Sequence, residues 1–451
     1  MDDALLPPAP EPEKSRTSWI REQLNCEKSQ VTLVFLLFVI LRAMDRVVNK
    51  RVNDRMVNYQ MSYVNIFWPI GVQFLTYCLC SCWVLYHRYV VGDRAYGLSF
   101  FMPHASIASA RGAYPQWRLA LFSFWDQLNA ILTSLPSPFI DMTSQSILSN
   151  LVILWTVAIS IVYLGTQYAD VHYIGCTMIL LSCAVAVCVQ LQTGNPPLGK
   201  YALPDGSFAI ASAWWYVLFI VGTIPAGISS CYKQKCLKGV DLEVMYASLW
   251  SGNWQIVWGL VMFPINWIPL PSPAQDYAPA ELGGYLHDTM LCFGGIAPSN
   301  STGDQACASP GGCAAIWFVV YLVFNASFNV LLLWLTKRMS ATWATIATVL
   351  CLDLTALFSM SRALMGDEAQ PVTLEQYLGL ILAALAMWVY NLQPEKDRDG
   401  HIVEGAHAFE SRPPTLASFA GDRASFTGRA SFAGRCSTTD IDSATLQQPV
   451  V

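Results

Sequence analysis

The chain has 451 residues, 54% of them hydrophobic and only 13% charged, with a formal net charge of -5 and a mean hydropathy of +0.39. An average soluble domain has about 25% charged residues. This chain therefore has too few polar side chains to cover a soluble protein, and its acidic balance does not indicate a nucleic-acid partner. Composition indicates a polytopic membrane protein.

Apolar runs long enough to cross a bilayer, about 20 residues each, recur along the chain. They predict an all-α fold of ten transmembrane helices, at residues 31–52, 60–86, 117–135, 142–165, 171–191, 212–232, 242–264, 314–336, 340–361 and 372–392. The third range is the weakest, because Asp126, Gln127 and Asn129 interrupt it. The acidic, Pro-rich N-terminus is unlike a signal or transit peptide, so we expect the first span to direct insertion.

Lysine and arginine predict the orientation of the spans. With both termini in the cytosol, most basic residues outside the spans fall on the cytosolic side, as the positive-inside rule requires. The longest loop on the opposite side, 270–312, has neither lysine nor arginine. In this loop or at its edge lie a sequon at Asn300 and the cysteines Cys292, Cys307 and Cys313, which is typical of an oxidising, glycosylating lumen. Three cysteines allow one disulfide and leave one over; the alternative is unpaired thiols.

The two halves of the membrane region are similar to each other. "MTSQSILSNLVIL" begins at 142 and "MSATWATIATVLC" at 339, and each precedes a Tyr-x-Gly step, at Tyr173 and at Tyr377. Pro69 in the second span corresponds to Pro264 in the seventh. These matches favour a duplicated five-helix unit whose second copy is inverted, which is a transporter architecture. Coincidence among apolar helices is the alternative.

Several longer stretches of the membrane region are distinctive. They are "MDRVVNKRVNDRMVNY" at 44, "FWDQLNAIL" at 124, "IPAGISSCYKQK" at 224, "NWQIVWGLVMFPINWIPLP" at 253 and "VFNASFNVLLLWLTKRMSATWATI" at 323. In this order they resemble helices one, three, six, seven and eight-to-nine of the chloroquine-resistance-transporter-like family, part of the drug/metabolite transporter superfamily. The resemblance covers about 35 to 395. Together with the similarity of the two halves, the resemblance implies five-helix units at 31–191 and 212–392, joined by a lumenal loop at 192–211. The polar segments at 1–30 and 393–451 are then predicted to be disordered cytosolic tails.

The first span carries charge where an apolar helix would be expected to continue. Its residues Arg42, Asp45, Arg46 and Asn49 lie at i, i+3, i+4 and i+7, which places them in one helical stripe. A charge at the bilayer centre costs about 2.5 to 3.5 kcal/mol on insertion scales, so we predict that the stripe lines a water-filled cavity. The alternative is a span that ends near Met44.

The resemblance assigns the family's substrate-discriminating position to this stripe. Where the family has a Met-Asn-Lys step, this chain has Met44-Asp45-Arg46. The basic residue is kept as arginine, and an acid replaces the amide. Arginine binds carboxylates through its planar fork, so Arg46 is expected to favour zwitterions or anionic peptides over cationic drugs.

Other polar residues inside the spans complete the predicted site. Asp126 is a candidate proton carrier, because burial favours protonation of a carboxylate. Six amides are candidates for hydrogen bonds to a polar substrate: Gln127, Asn129, Gln145, Gln255, Asn325 and Asn329. Each alone is more often a contact between helices. Phe328 replaces an acid that the resemblance expects in the eighth helix, and Asp353 in the ninth is a second coupling candidate that can supply this charge. The alternative is that Asp353 points to lipid headgroups or to a helix partner.

The sequence contains no pattern that predicts catalysis. Its histidines are scattered, there is no phosphate-binding glycine loop, and most cysteines lie within spans without the His or carboxylate neighbours of a metal site. We therefore expect no enzyme activity, cofactor, metal or nucleic acid. The polar tail after about 395 repeats "ASFAG" or "ASFTG" near arginines, so cytosolic kinases are candidate partners, although an inert tail explains it equally well.

Together these features predict a secondary transporter, coupled to protons, in a lipid bilayer. The resemblance implies small-molecule substrates such as amino acids, short peptides, glutathione-like thiols or drug cations. It also implies a vacuolar or lysosome-like membrane, with the plastid envelope or plasma membrane as alternatives. The rival functions are a nucleotide-sugar or organic-phosphate exchanger of the same superfamily and a transport-inactive membrane scaffold.

Overall fold

The structure is a computed structural model, and it describes residues 16–93, 95–103, 105, 108, 114–192, 200–202, 208–210, 214–239, 242–267, 279–298, 307, 313–338, 341–365, 369, 372–393 and 395–396. In parts of the helices, among them 16–32 and 341–346, it describes the backbone alone. Of the predicted N-terminal tail, residues 1–15 lie outside the described residues, whereas 16–30 form the beginning of α1; nearly all of the C-terminal tail lies outside the described residues.

Five long helices make up the first half of the fold. They are α1 (Arg16–Arg55), α2 (Gln60–Val91), α3 (Gln116–Ser134), α4 (Met142–Tyr163) and α5 (Asp170–Gln192). Near its start α2 contains a π-helical turn, Tyr63–Phe67, shortly before Pro69, whose missing N–H interrupts regular helical bonding. A second π-turn, His87–Val91, ends α2, and α4 is interrupted at Asn150.

The second half begins with a short antiparallel strand pair, β1 (Lys200–Ala202) and β2 (Phe208–Ile210), with Tyr201 paired to Ala209. Strands this short have no periodicity, so sequence analysis had predicted only a loop here. The helices that follow are α6 (Trp214–Gly239), α7 (Val244–Met262), α8 (Leu282–Phe293), α9 (Ala314–Arg338), α10 (Ala341–Ser359), α11 (Arg362–Met365) and α12 (Leu374–Tyr390). Short 3-10 turns occur at Val57–Tyr59, Leu98–Phe101, Ser137–Phe139, Phe263–Trp267 and Pro279–Glu281.

Helical structure covers each range that hydropathy selects. Within the described part of the chain, five helices are long and apolar enough to cross a membrane: Gln60–Val91, Met142–Tyr163, Asp170–Val187, Trp214–Cys236 and Ala314–Thr336. Large apolar side chains on these helices point outward, for example Val162, which is 88% exposed, and Phe74, which is 70% exposed. Exposure on this scale fits lipid rather than water, so the protein is a polytopic membrane protein.

Small residues let α5 and α12 pack closely. A Cβ added at Gly175 on α5 would lie 3.0 Å from the Cβ of Tyr390, and one added at Gly379 on α12 would lie 3.0 Å from that of Ala186. Each glycine therefore faces the other helix, as small residues do at helix interfaces in membranes. Two further contacts place the site: α1 packs on α9 and α10, and α3 packs on α6 and α7.

Candidate functional site

A polar cavity of about 280 Å³ lies among the helices and is lined by residues of α1, α2, α3, α4, α6, α7, α9 and α10. Nine of the ten residues predicted for a substrate cavity line it, and Asp126 does as well: the nine are Arg42, Asp45, Arg46, Asn49, Asn129, Gln145, Gln255, Asn325 and Asn329. Its wall also includes Lys50, Asn53 and Lys233, which sequence analysis did not assign to it. The cavity thus brings charged and amide side chains together among largely apolar helices.

The polar stripe of α1 faces the cavity, and Val47 and Val48 beside it are buried in the packing. Arg42 Nη1 donates to Asp45 Oδ2 at 2.6 Å. From α9, Asn325 Nδ2 donates to Asp45 Oδ1 at 3.0 Å. Both oxygens of this acid, which is only 2% exposed, are therefore bonded.

Arg46 has a different environment from Arg42. Its Nη1 donates to Ser149 Oγ on α4 at 3.2 Å, while its Nε is buried and has no hydrogen-bond partner. Among the described side chains, no carboxylate lies within 4 Å of the Arg46 guanidinium. Arg46 can therefore offer donors to an anionic group in the cavity.

Phe328, which replaces the acid expected on α9, contacts Arg42 through the face of its ring. The centre of the Arg42 guanidinium lies 4.0 Å from the centroid of the Phe328 ring, a cation–π distance. An aromatic face thus takes the place of a carboxylate at this point. Asp353, proposed to supply the missing charge, belongs to α10, but its side chain lies outside what the structure describes.

One end of the cavity, called here the Lys233 end, consists of Asp126 and Lys233, with the buried Ser229 bonded to Asp126 from outside the lining. Lys233 Nζ lies 2.6 Å from Asp126 Oδ2 and 2.8 Å from Oδ1, and Ser229 Oγ donates to Oδ1 at 2.6 Å. Lys233 reaches the cavity because α6 continues past the predicted end at 232 as far as Gly239. Lys233 lies just after the predicted span 212–232, so the positive-inside pattern had assigned it to the cytosolic side. Its i, i+4 spacing from Ser229 places both side chains on the same face of α6, and this spacing was the available signal.

The other end, called here the Lys50 end, consists of Lys50, Asn53, Asp54, Ser137 and Gln145. Lys50 Nζ donates to Asp54 Oδ1 at 2.6 Å and to the backbone oxygen of Ser137 at 2.7 Å. Gln145 Nε2 donates to the same Ser137 oxygen at 2.7 Å, and Asn53 Nδ2 donates to Ser137 Oγ at 3.4 Å. This network connects α1 to the turn between α3 and α4.

Gln127 lies outside the cavity lining. It follows Asp126 by one residue, which turns it about 100° around α3, and it is fully buried against α2. Its Nε2 donates to Val64 O and to Asn65 Oδ1, both at 3.3 Å. Asn129 lines the cavity and also donates to Gly222 O on α6 at 2.7 Å. These two amides act as contacts between helices.

The cysteines of the long loop form one disulfide, between Cys292 on α8 and Cys307. Cys313 is free, which matches the prediction of one bridge and one remaining cysteine. The Cys292 sulfur lies 3.5 Å from the backbone oxygen of Arg55, at the end of α1. The disulfide therefore lies against the same end of α1 as Lys50. Asn300, the predicted glycosylation site, lies outside the described residues.

The cavity has an excess of positive charge. Its charged lining residues are the cations Arg42, Arg46, Lys50 and Lys233 and the acids Asp45 and Asp126. Arg42, Lys50 and Lys233 each pair with a carboxylate, the Lys50 partner being Asp54. In the part of the chain that the structure describes, no group of three or more His, Cys, Asp or Glu side chains is placed to hold a metal ion.

Comparison with known proteins decides the family. The profile of the CRT-like family, described as chloroquine-resistance transporter-like, matches residues 31–390, most of the chain. The chain belongs to this family. CRT-like membership covers every helix that contributes to the cavity, so the cavity lies within the region that defines the family.

Curated CRT-like relatives are distant in sequence. "Chloroquine resistance transporter" of Toxoplasma gondii is 26% identical over 301 residues, which is 65% of this chain but only 33% of that protein. "Crt homolog 3" of Dictyostelium discoideum is 22% identical over 391 residues, 83% of this chain and 75% of that protein. "Protein CLT3, chloroplastic" of Arabidopsis thaliana is 22% identical over 340 residues, 74% of this chain and 66% of that protein. The chain thus shares its membrane region with relatives that are named as chloroquine resistance transporters and their homologues, and it spans only a third of the length of the first of them.

Proposed function

We propose that the protein is a secondary active transporter that moves small polar solutes by alternating access and is coupled to protons. The observation that carries this proposal is the cavity, which holds six charged side chains among apolar helices and is lined by residues of both halves of the chain. Charged side chains in a membrane region are energetically unfavourable unless they face water, a partner or a substrate. A solute path through the cavity explains why they are there.

The proposed architecture is ten membrane-spanning helices in two inverted five-helix units, 31–191 and 212–392. The contact between α5 and α12, the last helix of each unit, supports it. Gly175 follows Tyr173 in one unit and Gly379 follows Tyr377 in the other, and each glycine meets the helix of the other unit. Such reciprocal contacts are expected across a pseudo-two-fold axis. The remaining segments are tails at 1–30 and 393–451 and loops at 192–211 and 270–312.

The cavity charges favour a solute with a carboxylate. Three of the four cations are already paired with acids, whereas Arg46 has open donors and no carboxylate within 4 Å among the described side chains. Amino acids, short peptides and glutathione-like thiols present such a group; a drug cation would meet repulsion from Arg46. Asp126 is the candidate coupling acid, because protonation would release it from Lys233.

We further propose a vacuolar or lysosome-like membrane with both termini in the cytosol. The positive-inside pattern and the disulfide between Cys292 and Cys307 support a lumenal position for the long loop. A plastid envelope is the alternative, since three relatives from Arabidopsis thaliana carry the description chloroplastic. Cytosolic kinases remain proposed partners of the C-terminal tail.

One observation favours a second candidate, an exchanger of nucleotide sugars or organic phosphates. Such a site needs several cations for the phosphate, and four line the cavity. Because three of them are paired with carboxylates, a phosphate would have to displace Asp45, Asp54 or Asp126. The carboxylate solute requires no such displacement and is the preferred candidate.

Uptake by purified protein in liposomes under an imposed proton gradient tests the proposal. The solutes are amino acids, di- and tripeptides, glutathione, cationic drugs and a sugar phosphate. Arg46→Ala should reduce uptake of carboxylate solutes by roughly 10- to 100-fold, because a hydrogen bond to a charged group contributes about 1.5 to 3 kcal/mol. Asp126→Asn should abolish the response to the gradient.

The matched control is Arg51→Ala. Arg51 has the same side chain on the same helix, but it donates to Leu364 O and stacks on Trp317 instead of lining the cavity. Its solute preference should equal that of the wild type. Equal losses in both arginine variants would contradict the role given to Arg46. Uptake of the sugar phosphate alone would favour the exchanger, and no uptake of any solute by folded protein would favour the scaffold.

A further inference from the structure

Three acids in or beside the cavity share one property, a cation at 2.6 Å. Asp45 is paired with Arg42, Asp54 with Lys50, and Asp126 with Lys233. Such a cation stabilises the ionised carboxylate and opposes uptake of a proton. A proton can bind to any of these acids only in competition with that cation.

Asp141 is a buried acid without this property. It is 9% exposed, and none of the Lys, Arg or His side chains that the structure describes lies within 4 Å of its carboxylate. It follows the turn that forms the Lys50 end and caps α4, where its Oδ2 accepts a hydrogen bond from Ser144 N at 2.8 Å. Its Oδ1 is buried and has no hydrogen-bond partner.

The surroundings of Asp141 come from both halves of the chain. From α12, Gln376 Nε2 donates to Oδ2 at 2.8 Å. The charged or titratable groups that face Asp141 are Lys50 on α1 and Tyr216 on α6. Lys50 has its ammonium bonded to Asp54 and to Ser137 O, so it does not neutralise Asp141 directly. Tyr216 is itself buried, at 3% exposure.

A capping role alone does not explain this arrangement. The cap uses Oδ2, and serine or asparagine would supply an equivalent oxygen without a charge. An ionised carboxylate with one bare oxygen in a dry site is unfavourable, and such a group takes up a proton instead. We propose that Asp141 is a proton-binding site, occupied in the state described here, and that solute transport is coupled to release of its proton.

This proposal deepens the proposed function and rests on it for the coupling. Because Gln376 belongs to the second unit and Asp141 to the first, a movement of α12 away from α4 would break their hydrogen bond and admit water. Water stabilises the ionised carboxylate, so the proton bound at Oδ1 would leave to that side. When the helices close again, the dry site would favour protonation. Asp126 and Asp141 would then be two separate proton sites.

Infrared spectroscopy of the purified full chain in lipid tests the bound proton directly. At neutral pH the wild type should show the carbonyl band of a protonated carboxylic acid, shifted by exchange into D₂O. Asp141→Asn should lose this band, and the matched variant Asp126→Asn should keep it. An unchanged spectrum in Asp141→Asn would overturn the proposal.

Transport in liposomes tests the coupling. Asp141→Asn should retain exchange of solute between the two sides, while accumulation driven by a proton gradient should fall at least tenfold. Asp141→Ser keeps a capping oxygen without the acid, so it provides a second variant in case the first is unstable. Accumulation equal to that of the wild type in a folded variant would overturn the coupling. Absence of transport by the wild type would instead overturn the proposed function, and the infrared band would still decide whether Asp141 holds a proton.

Discussion

The two ends of the cavity each contain a lysine–aspartate pair, but the pairs differ in burial and in what they connect. At the Lys50 end the lysine side chain is 3% exposed, and its acid, four residues further along the same helix, is 22% exposed. At the Lys233 end the lysine is 15% exposed and the acid is 20% exposed, and the pair joins α6 to α3. The first pair holds a buried lysine within α1, while the second bridges two helices and has the more exposed lysine.

Distance separates the two ends along α3. Asp126 lies near the middle of this helix, and Ser134 ends it, just before the Ser137 turn that accepts from Lys50. At 1.5 Å per residue, Asp126 and Ser134 are about 12 Å apart along the axis. The exposure of the lysine therefore changes within the length of one cavity, from 15% at the Lys233 end to 3% at the Lys50 end, while the two acids are about equally exposed. The two lysines, rather than the two acids, therefore distinguish the ends.

The largest expected effect comes from breaking the buried pair. In Asp54→Ala the Lys50 ammonium keeps only the Ser137 oxygen and is left without a counter-ion in a dry site. Removing one partner of a buried pair destabilises proteins by about 3 to 5 kcal/mol. Thermal and denaturant unfolding of the purified protein should show a loss in this range.

The double variant Asp54→Ala with Lys50→Met is the control for this prediction. It removes the stranded charge together with its partner, so most of the lost stability should return, because an apolar pair of similar volume is often neutral. A double variant as unstable as the single one would mean that the aspartate stabilises α1 by another route. The Lys50 end would then differ from the Lys233 end for reasons other than a buried charge.

The disulfide supports the Lys50 end from outside, and its loss should have the next largest effect. Cys292 lies against the backbone of Arg55, one residue after Asp54. For a sequence separation of 15 residues, the chain-entropy estimate is about 3 kcal/mol of stability. Cys307→Ser should lower unfolding stability by about this amount, whereas Cys313→Ser, which removes a free thiol, should leave it nearly unchanged. Equal losses in the two variants would contradict this assignment.

The helices and the stripe on α1 were predictable from sequence for physical reasons. A bilayer demands about 20 apolar residues per span, and this demand leaves a clear pattern in composition. The stripe from Arg42 to Asn49 was predictable because an α-helix repeats every 3.6 residues, so i, i+3, i+4 and i+7 share a face. The same periodicity separates Gln127 from Asp126 and Asn129, and applying it to α3 would have removed Gln127 from the site.

Lys233 and Asp141 were harder to predict. Lys233 follows an apolar run, so the positive-inside rule assigns it to a loop, and its partner Asp126 is distant in sequence. Asp141 lies between two predicted spans, where an acid is ordinarily solvated; only the fold buries it beside Gln376. In both cases the deciding neighbour belongs to another part of the chain, and a single sequence gives no pairing between distant residues.

The smallest expected effect comes from breaking the pair at the Lys233 end, whose lysine is the more exposed of the two. In Asp126→Ala the Lys233 ammonium can extend along its flexible stem into water, as lysine side chains do at the edges of apolar regions. Pairs with this access contribute about 1 kcal/mol or less to stability. Unfolding measurements should therefore show a loss several times smaller than that of Asp54→Ala, and one that shrinks further in high salt because solvent ions screen this pair. A salt-independent loss as large as the one at Asp54 would mean that Lys233 is as shielded from solvent as Lys50, and the two ends would then not differ in this respect.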